Sequence, residues 1–217
     1  MIIILGGTKG GTGKSTIVTN LAAIDVNQGH DALLVDSDRQ GSASYWAAVR
    51  EETGLLRVPT IQKFGQLSLT NELRALTKKY ENIFVDAGGF DSEELRAAML
   101  AGNQLLIPVR PAQFDVWTLP RIIKIFEESQ LYNPHLQARF VINGAHTHPH
   151  VKEADENREL LHDLDQIRLC QSVIHARRAF VKAPALGMAV TELRGKEADA
   201  KASDEMMNLY RELNHNG

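Results

Sequence analysis

Wholly apolar runs recur along the chain at 2–5, 33–35, 83–85, 105–109 and 140–142. None alternates apolar with polar residues, as a strand with one wet face would. Each therefore predicts a strand buried on both faces, the habit of parallel sheets. The stretches between them are long enough for crossover helices, and residues 16–25, just after the first run, carry apolar side chains at helical spacing. Short strands joined by crossovers predict an α/β fold: a twisted, mostly parallel sheet with helices on both faces and a ligand site beyond the carboxyl ends of the strands. Near the other end, residues 203–213 set Met206, Met207, Leu209, Tyr210 and Leu213 on one helical stripe, beside Asp204, Glu205 and Glu212. With Arg211 as its only cation, this helix lacks the basic polar face of a membrane-surface helix and is expected to dock on its own domain.

At 217 residues, with no linker, repeat or low-complexity tract, the chain reads as one domain, 1–217. A formal net charge of −3 argues against a protein that coats nucleic acid with its whole surface, and leaves local basic patches open. A single cysteine, Cys170, rules out an intramolecular disulfide and suits a reducing compartment. The opening apolar run is too short for a signal peptide or a membrane span, so a cytoplasmic protein is expected.

The candidate chemistry concentrates in Lys9-Gly10-Gly11-Thr12-Gly13-Lys14-Ser15-Thr16, between the first strand and the first helix. Glycines at 10, 11 and 13 let successive N–H groups converge on phosphate oxygens, and the following helix adds its positive N-terminal end. Lys14 then reaches the β- and γ-phosphates, the Ser15 hydroxyl can ligate Mg2+, and Thr16 is left near the α-phosphate. The ordinary pattern G-x-x-x-x-G-K-[ST] asks for glycine at position 8, where this chain has Thr8, and does not require Lys9. Two further strands end in carboxylates. One leads into Asp36-Ser37-Asp38-Arg39-Gln40-Gly41, whose acids at i and i+2 could serve one Mg2+ and one water, a solvated Asx turn being the plainer alternative. The other ends in Asp86, followed by Ala87-Gly88-Gly89, an arrangement that holds Mg2+ through water or simply turns the chain.

With Lys9 in place, the loop resembles the deviant Walker A motif, K-G-G-x-G-K-[ST]-[ST], of the ParA/MinD family of P-loop NTPases. The resemblance implies ATP and Mg2+ as ligands, held by residues 9–16 (Lys9, Gly10, Gly11, Thr12, Gly13, Lys14, Ser15, Thr16). It further implies that Lys9 reaches across a nucleotide-sandwich homodimer to the partner's ATP. Asp38 would position or activate the attacking water, Asp36 would act mainly through the Mg2+ shell, and Asp86 would be the Walker B acid. Arg39 stands where the family usually has proline. Asn143 occupies the place of an asparagine found near the adenine, although Gly144 follows it instead of a basic residue. Arg110-Pro111 and Phe114-Asp115-Val116-Trp117 resemble a segment that borders the dimer interface, and Trp117, like Tyr45 and Trp46, can equally serve core packing.

Arg177, Arg178 and Lys182 lie in a segment that resembles the I-x-x-R-x-x-[FY]-x-x-A stretch of plasmid ParA proteins. That region contributes to sequence-independent DNA contact after dimerisation, and solvated cations are the plainer reading of each residue. His146-Thr147-His148-Pro149-His150 lacks an acidic or cysteine partner at ligand spacing and is expected to be an exposed loop. The expected protein is a slow ATPase switch, cytoplasmic and nucleoid-associated. It would dimerise with ATP, bind DNA non-specifically and position a plasmid, chromosome region or carboxysome-like cargo, with a ParB-type or equivalent centromere-binding partner stimulating hydrolysis and no membrane involved. The likeness is to the short plasmid-type members, because the first strand begins at residue 2 and leaves no room for a helix-turn-helix domain before it. The single cysteine sets the chain apart from the nitrogenase iron protein. A MinD-like membrane switch and a metabolic enzyme of the dethiobiotin synthetase or cobyrinic amidation type stay open as alternatives.

Overall fold

The computed structural model describes residues 1–7, 10–89, 91–111, 119–148, 161 and 167–214. Seven strands form one sheet: β1 (Ile2–Leu5), β2 (Ala32–Ser37), β3 (Thr60–Gln62), β4 (Asn82–Ala87), β5 (Gln104–Val109), β6 (Gln137–Ala145) and β7 (Arg168–His175). Their order is β3-β2-β4-β1-β5-β6-β7, with every neighbouring pair parallel. The described helices are α1 (Lys14–Asn27), α2 (Ser42–Glu51), α3 (Gln66–Leu76), α4 (Glu93–Met99), α5 (Leu119–Gln130), α6 (Arg178–Ala185) and α7 (Ala200–Asn214).

The two-residue period of the strands explains the uninterrupted apolar runs. Ile3, Leu5, Leu34, Phe84, Leu106 and Val141 point into a core shared with α1, α2, α6 and α7. Their neighbours Ile2, Ile4, Leu33, Val35, Ile83, Val85, Leu105 and Ile107 fill the opposite core, under α3, α4 and α5. Both faces are covered, so no strand position can be polar at low cost. All five expected strands form. Strands β3 and β7 carried no such signal because they are the sheet's edges: Thr60 and Ile61 are only partly covered and Gln62 is exposed, and β7 mixes Gln171 and Ser172 into its apolar residues.

Helix α1 has almost no amphipathic character because it is enclosed on nearly every side. Its polar residues are accordingly paired. Asn20 donates to the Thr16 carbonyl and accepts from Val190 N–H, and Asp25 accepts from Asn82 and, at 2.6 Å, from the Tyr210 hydroxyl. Through Tyr210, and through buried Met206, Leu209 and Leu213, α7 docks its apolar stripe on the sheet as expected.

A second buried link ties α2 to the segment after α6. Arg50, 1% exposed, donates from Nη1 and Nη2 to the two oxygens of Glu192 at 2.7 Å each and from Nε to the Leu56 carbonyl at 2.8 Å. Its guanidinium also stacks 5.2 Å from the centre of the Trp46 ring. Replacing Arg50 with alanine strands a buried carboxylate and should cost about 3–5 kcal/mol. Differential scanning calorimetry should then show Tm falling by roughly 10 °C.

Strand order reverses about β1: β4 and β2 lie on one side of it, β5 and β6 on the other. Such a switch point opens a crevice at the carboxyl ends of the strands. The loop after β1 occupies it.

Candidate functional site

The phosphate loop leaves β1 at Leu5, and Gly6 N–H still donates to the Leu106 carbonyl at 3.1 Å. Helix α1 begins at Lys14, with Gly13 as its N-cap at φ 92°, a left-handed conformation that glycine adopts without strain. No acidic residue occupies the first turn, so the positive end of the helix keeps its attraction for an anion. Lys14 is buried along its stem and packs beside Gly7, where an added Cβ would lie 3.6 Å from Lys14 Cδ. Gly10 and Gly11 face open space. Lys9, the residue that distinguishes this loop, lies outside the described residues.

Strand pairing assembles the carboxylates. In the β2–β4 register Asp36 lies opposite Asp86, and in the β1–β4 register Asp86 lies opposite Leu5, the last strand residue before the loop. Asp36 is fully buried and already engaged: one oxygen accepts from Asp38 N–H at 3.1 Å and the other from Ser44 N–H in the first turn of α2 at 2.7 Å. The strand ends at Ser37, and Asp38 opens an Asx turn by accepting from Gln40 N–H at 2.9 Å. The turn after Asp86 comes close to it: a Cβ on Gly88 would sit 3.2 Å from Asp38 Cα. Arg39, in the family's proline position, is exposed, 4.0 Å from Glu94 and over the Phe64 ring.

Asp86 differs from its neighbours. It is fully buried, and neither carboxylate oxygen makes a hydrogen bond of ordinary geometry. Burial pushes its pKa up to about 7; the nearby Ser15 hydroxyl and Lys14 ammonium pull it down, while Asp36 and Asp38 push it further up. A buried carboxylate without a donor is costly unless a cation compensates it. Ser15 and Asp86, with Asp36 behind them, form the hard oxygen set that Mg2+ takes directly or through water, so the residues present fit that ion.

Beside the loop, on the β6 and β7 side, a cleft of about 470 Å³ is lined by Gly13, Thr16, Arg110, Asn143, His175 and Arg178, among others. Its position and size suit the nucleoside end of a nucleotide. Sequence reasoning missed Arg110 and His175 for this role; Arg110 directly follows β5 and His175 is the last residue of β7, and a place at the carboxyl end of a parallel strand is the signal that could have found them. Asn143 reaches the site by another route than the one expected, donating from Nδ2 to the Thr12 carbonyl at 2.6 Å. The three cations expected at DNA separate. Arg177 donates twice to Glu205 of α7, at 2.9 and 2.7 Å, and Lys182 is ion-paired with Glu197. Arg178 is exposed at the mouth of the cleft.

Residues 3–210 match the family described as the CobQ/CobB/MinD/ParA nucleotide binding domain. The chain belongs to this family. It is a ParA/MinD-like P-loop ATPase, as the deviant loop implied. The maintenance of carboxysome distribution protein A of Gloeobacter kilaueensis is 31% identical over 205 residues, covering 94% of this chain and 89% of that protein. The protein of the same name from Halothiobacillus neapolitanus is 30% identical over 136 residues, which span 62% of each chain. The fold also matches that of the cell division ATPase MinD of Pyrococcus furiosus with a TM-score of 0.74 at 18% identity, over 100% of this chain and 99% of that one.

Trp46 is core, its Nε1 donating to the Met188 carbonyl, whereas Tyr45 is 72% exposed. Residues 114–117, His150 and the last residues of the tail lie outside the described residues. His146 and His148 are exposed, and among the described residues no group of three or more His, Cys, Asp or Glu side chains is placed to hold a metal ion. Among them, too, no helix is long and apolar enough to cross a membrane. Another surface cleft, about 810 Å³ between α3, α4 and α5, lies away from the loop and shares no residue with this site.

Proposed function

We propose that this ParA/MinD-like protein is a Mg2+-ATP-dependent dimerising switch that binds DNA without sequence preference and positions a large cellular cargo. The observation that carries the reading is the buried Asp86 carboxylate, which makes no hydrogen bond of ordinary geometry, beside Ser15 at the foot of a deviant phosphate loop. In this account Lys14 and the loop amides hold the phosphates, with Lys9 completing the set from the second subunit. Ser15 and Asp86 hold Mg2+, and Asp36 fixes the turn and the start of α2 around it. Asp38 orients the attacking water. Bound Mg2+ would supply positive charge between the phosphates. None of these groups is a strong general base, so unassisted hydrolysis is slow, and a cargo-bound partner accelerates it.

The two curated relatives named for carboxysome distribution favour a cargo of that kind, handled through a cargo-bound protein, over a metabolic substrate. For DNA, Arg178 is the exposed member of the basic set, while Arg177 and Lys182 are held by carboxylates and contribute by shaping α6. Dimerisation doubles the number of phosphate contacts, and affinity rises steeply with that number. Gel shift with a random-sequence duplex should show binding with ATP and little with ADP or no nucleotide, and liposome sedimentation should show none. Equal DNA binding in all three nucleotide states would remove the switch from the account.

A further inference from the structure

We infer that Asn143 is a positioning residue that sets the shape of the phosphate loop, rather than a reader of the nucleobase. This inference rests on the nucleotide-site reading above. Asn143 lies at the carboxyl end of β6, two strands from β1 and 131 residues from Thr12 in sequence, yet its Nδ2 donates to the Thr12 carbonyl at 2.6 Å. The same amide packs on the next residue of the loop. A Cβ built on Gly13 would fall 2.2 Å from Asn143 Nδ2 and 3.4 Å from Cγ. The asparagine side chain thus occupies the space that any larger residue at 13 would need, over the peptide that turns the loop into α1.

The reach across the sheet has a local cause. The β6–β7 register shifts between Asn143 and Ala145, and Gly144 between them stands at φ 78°. An irregularity of this kind bends a strand and re-aims a side chain. Beside this irregularity Asn143 lines the cleft and still reaches the loop with its amide. A carboxamide can serve because its N–H2 donates to a carbonyl. Holding Thr12 in place fixes the direction of the following N–H groups before any anion arrives, which lowers the ordering cost of binding phosphates. The base would then meet the outer cleft wall, formed by Arg110, His175 and Arg178.

Two substitutions separate this role from base reading. Asn143→Ala removes the donor and the packing. Asn143→Asp keeps the shape but replaces the donor by an acceptor facing a carbonyl. Affinities for Mg2+-ATP, Mg2+-GTP and Mg2+-tripolyphosphate, which has no base, are measured by titration calorimetry. Hydrogen exchange of residues 10–20 is followed in the protein without nucleotide. In both variants all three affinities should fall together, by roughly five- to tenfold, with the ATP-to-GTP ratio unchanged and exchange in the loop faster. A collapse of the ATP-to-GTP ratio at unchanged tripolyphosphate affinity would overturn the inference, and so would unaltered loop exchange. Should wild-type protein bind no phosphate compound, the nucleotide-site reading fails, and the exchange comparison still decides the role of Asn143 in the loop.

Discussion

Asp86→Asn should make the nucleotide-free protein more stable and at the same time abolish Mg2+-dependent hydrolysis. The two effects have one origin. Asp86 is buried opposite Asp36, with no hydrogen bond of ordinary geometry to either oxygen and a pKa raised to about 7 from 3.8. Well below pH 3.8 the group is protonated in folded and unfolded chains alike. Between there and about 7 the unfolded chain ionises first, so the contribution of Asp86 to stability is lost progressively as pH rises and is fully absent above 7. The span corresponds to roughly 4 kcal/mol as an upper bound. An asparagine must still bury its amide, so a gain of about 2 kcal/mol at pH 8 is expected. Thermal denaturation should therefore show Tm higher by roughly 4–8 °C in the variant. The gain should shrink as pH falls towards 4, where the wild-type carboxyl is neutral too. Hydrolysis should fall by about a hundredfold or more, because a neutral amide is a poor ligand for a hard cation. A variant less stable than wild type at pH 8 would contradict this account of the site.

Lys9→Ala is expected to leave ATP affinity within a few-fold of wild type, because Lys14, the loop amides and the start of α1 remain, while hydrolysis drops by about 10²–10³-fold. That range is typical for removing one preorganised charge from a transition state. The asymmetry arises because Lys9, as the family resemblance implies, serves the nucleotide of the other subunit. Lys14→Ala should show the reverse pattern, with nucleotide affinity itself lost. Binding of a fluorescent ATP analogue and single-turnover hydrolysis, measured side by side on both variants, check the contrast. Equal loss of affinity in the two variants would place both lysines on the same nucleotide.

The apolar runs marked the five inner strands and α1, because burial on two faces leaves direct marks on the sequence, and carboxylates at strand ends pointed to Asp36 and Asp86, which lie opposite each other in the sheet. Edge strands β3 and β7 left weak ones, since only part of each is covered. Asp36 illustrates a different limit. Its place was legible, but its two backbone partners, Asp38 and Ser44 N–H, depend on how the chain turns after Ser37. Likewise the family resemblance implied a place for Asn143 at the site, near the adenine. That its amide holds Thr12, 131 residues away, follows from a register shift that no local pattern announces. Arg177 and Lys182 read as free cations until the fold brought Glu205 and Glu197 to them.

ATP, and not ADP, should join two copies of this chain. Light scattering coupled to gel filtration, run on Asp38→Ala protein to slow hydrolysis, measures it directly. The account predicts monomer without nucleotide and with Mg2+-ADP, and a doubled molar mass with Mg2+-ATP that Lys9→Ala removes. The same mass in all nucleotide states, or a dimer that persists in Asp38→Ala protein also carrying Lys9→Ala, would contradict it.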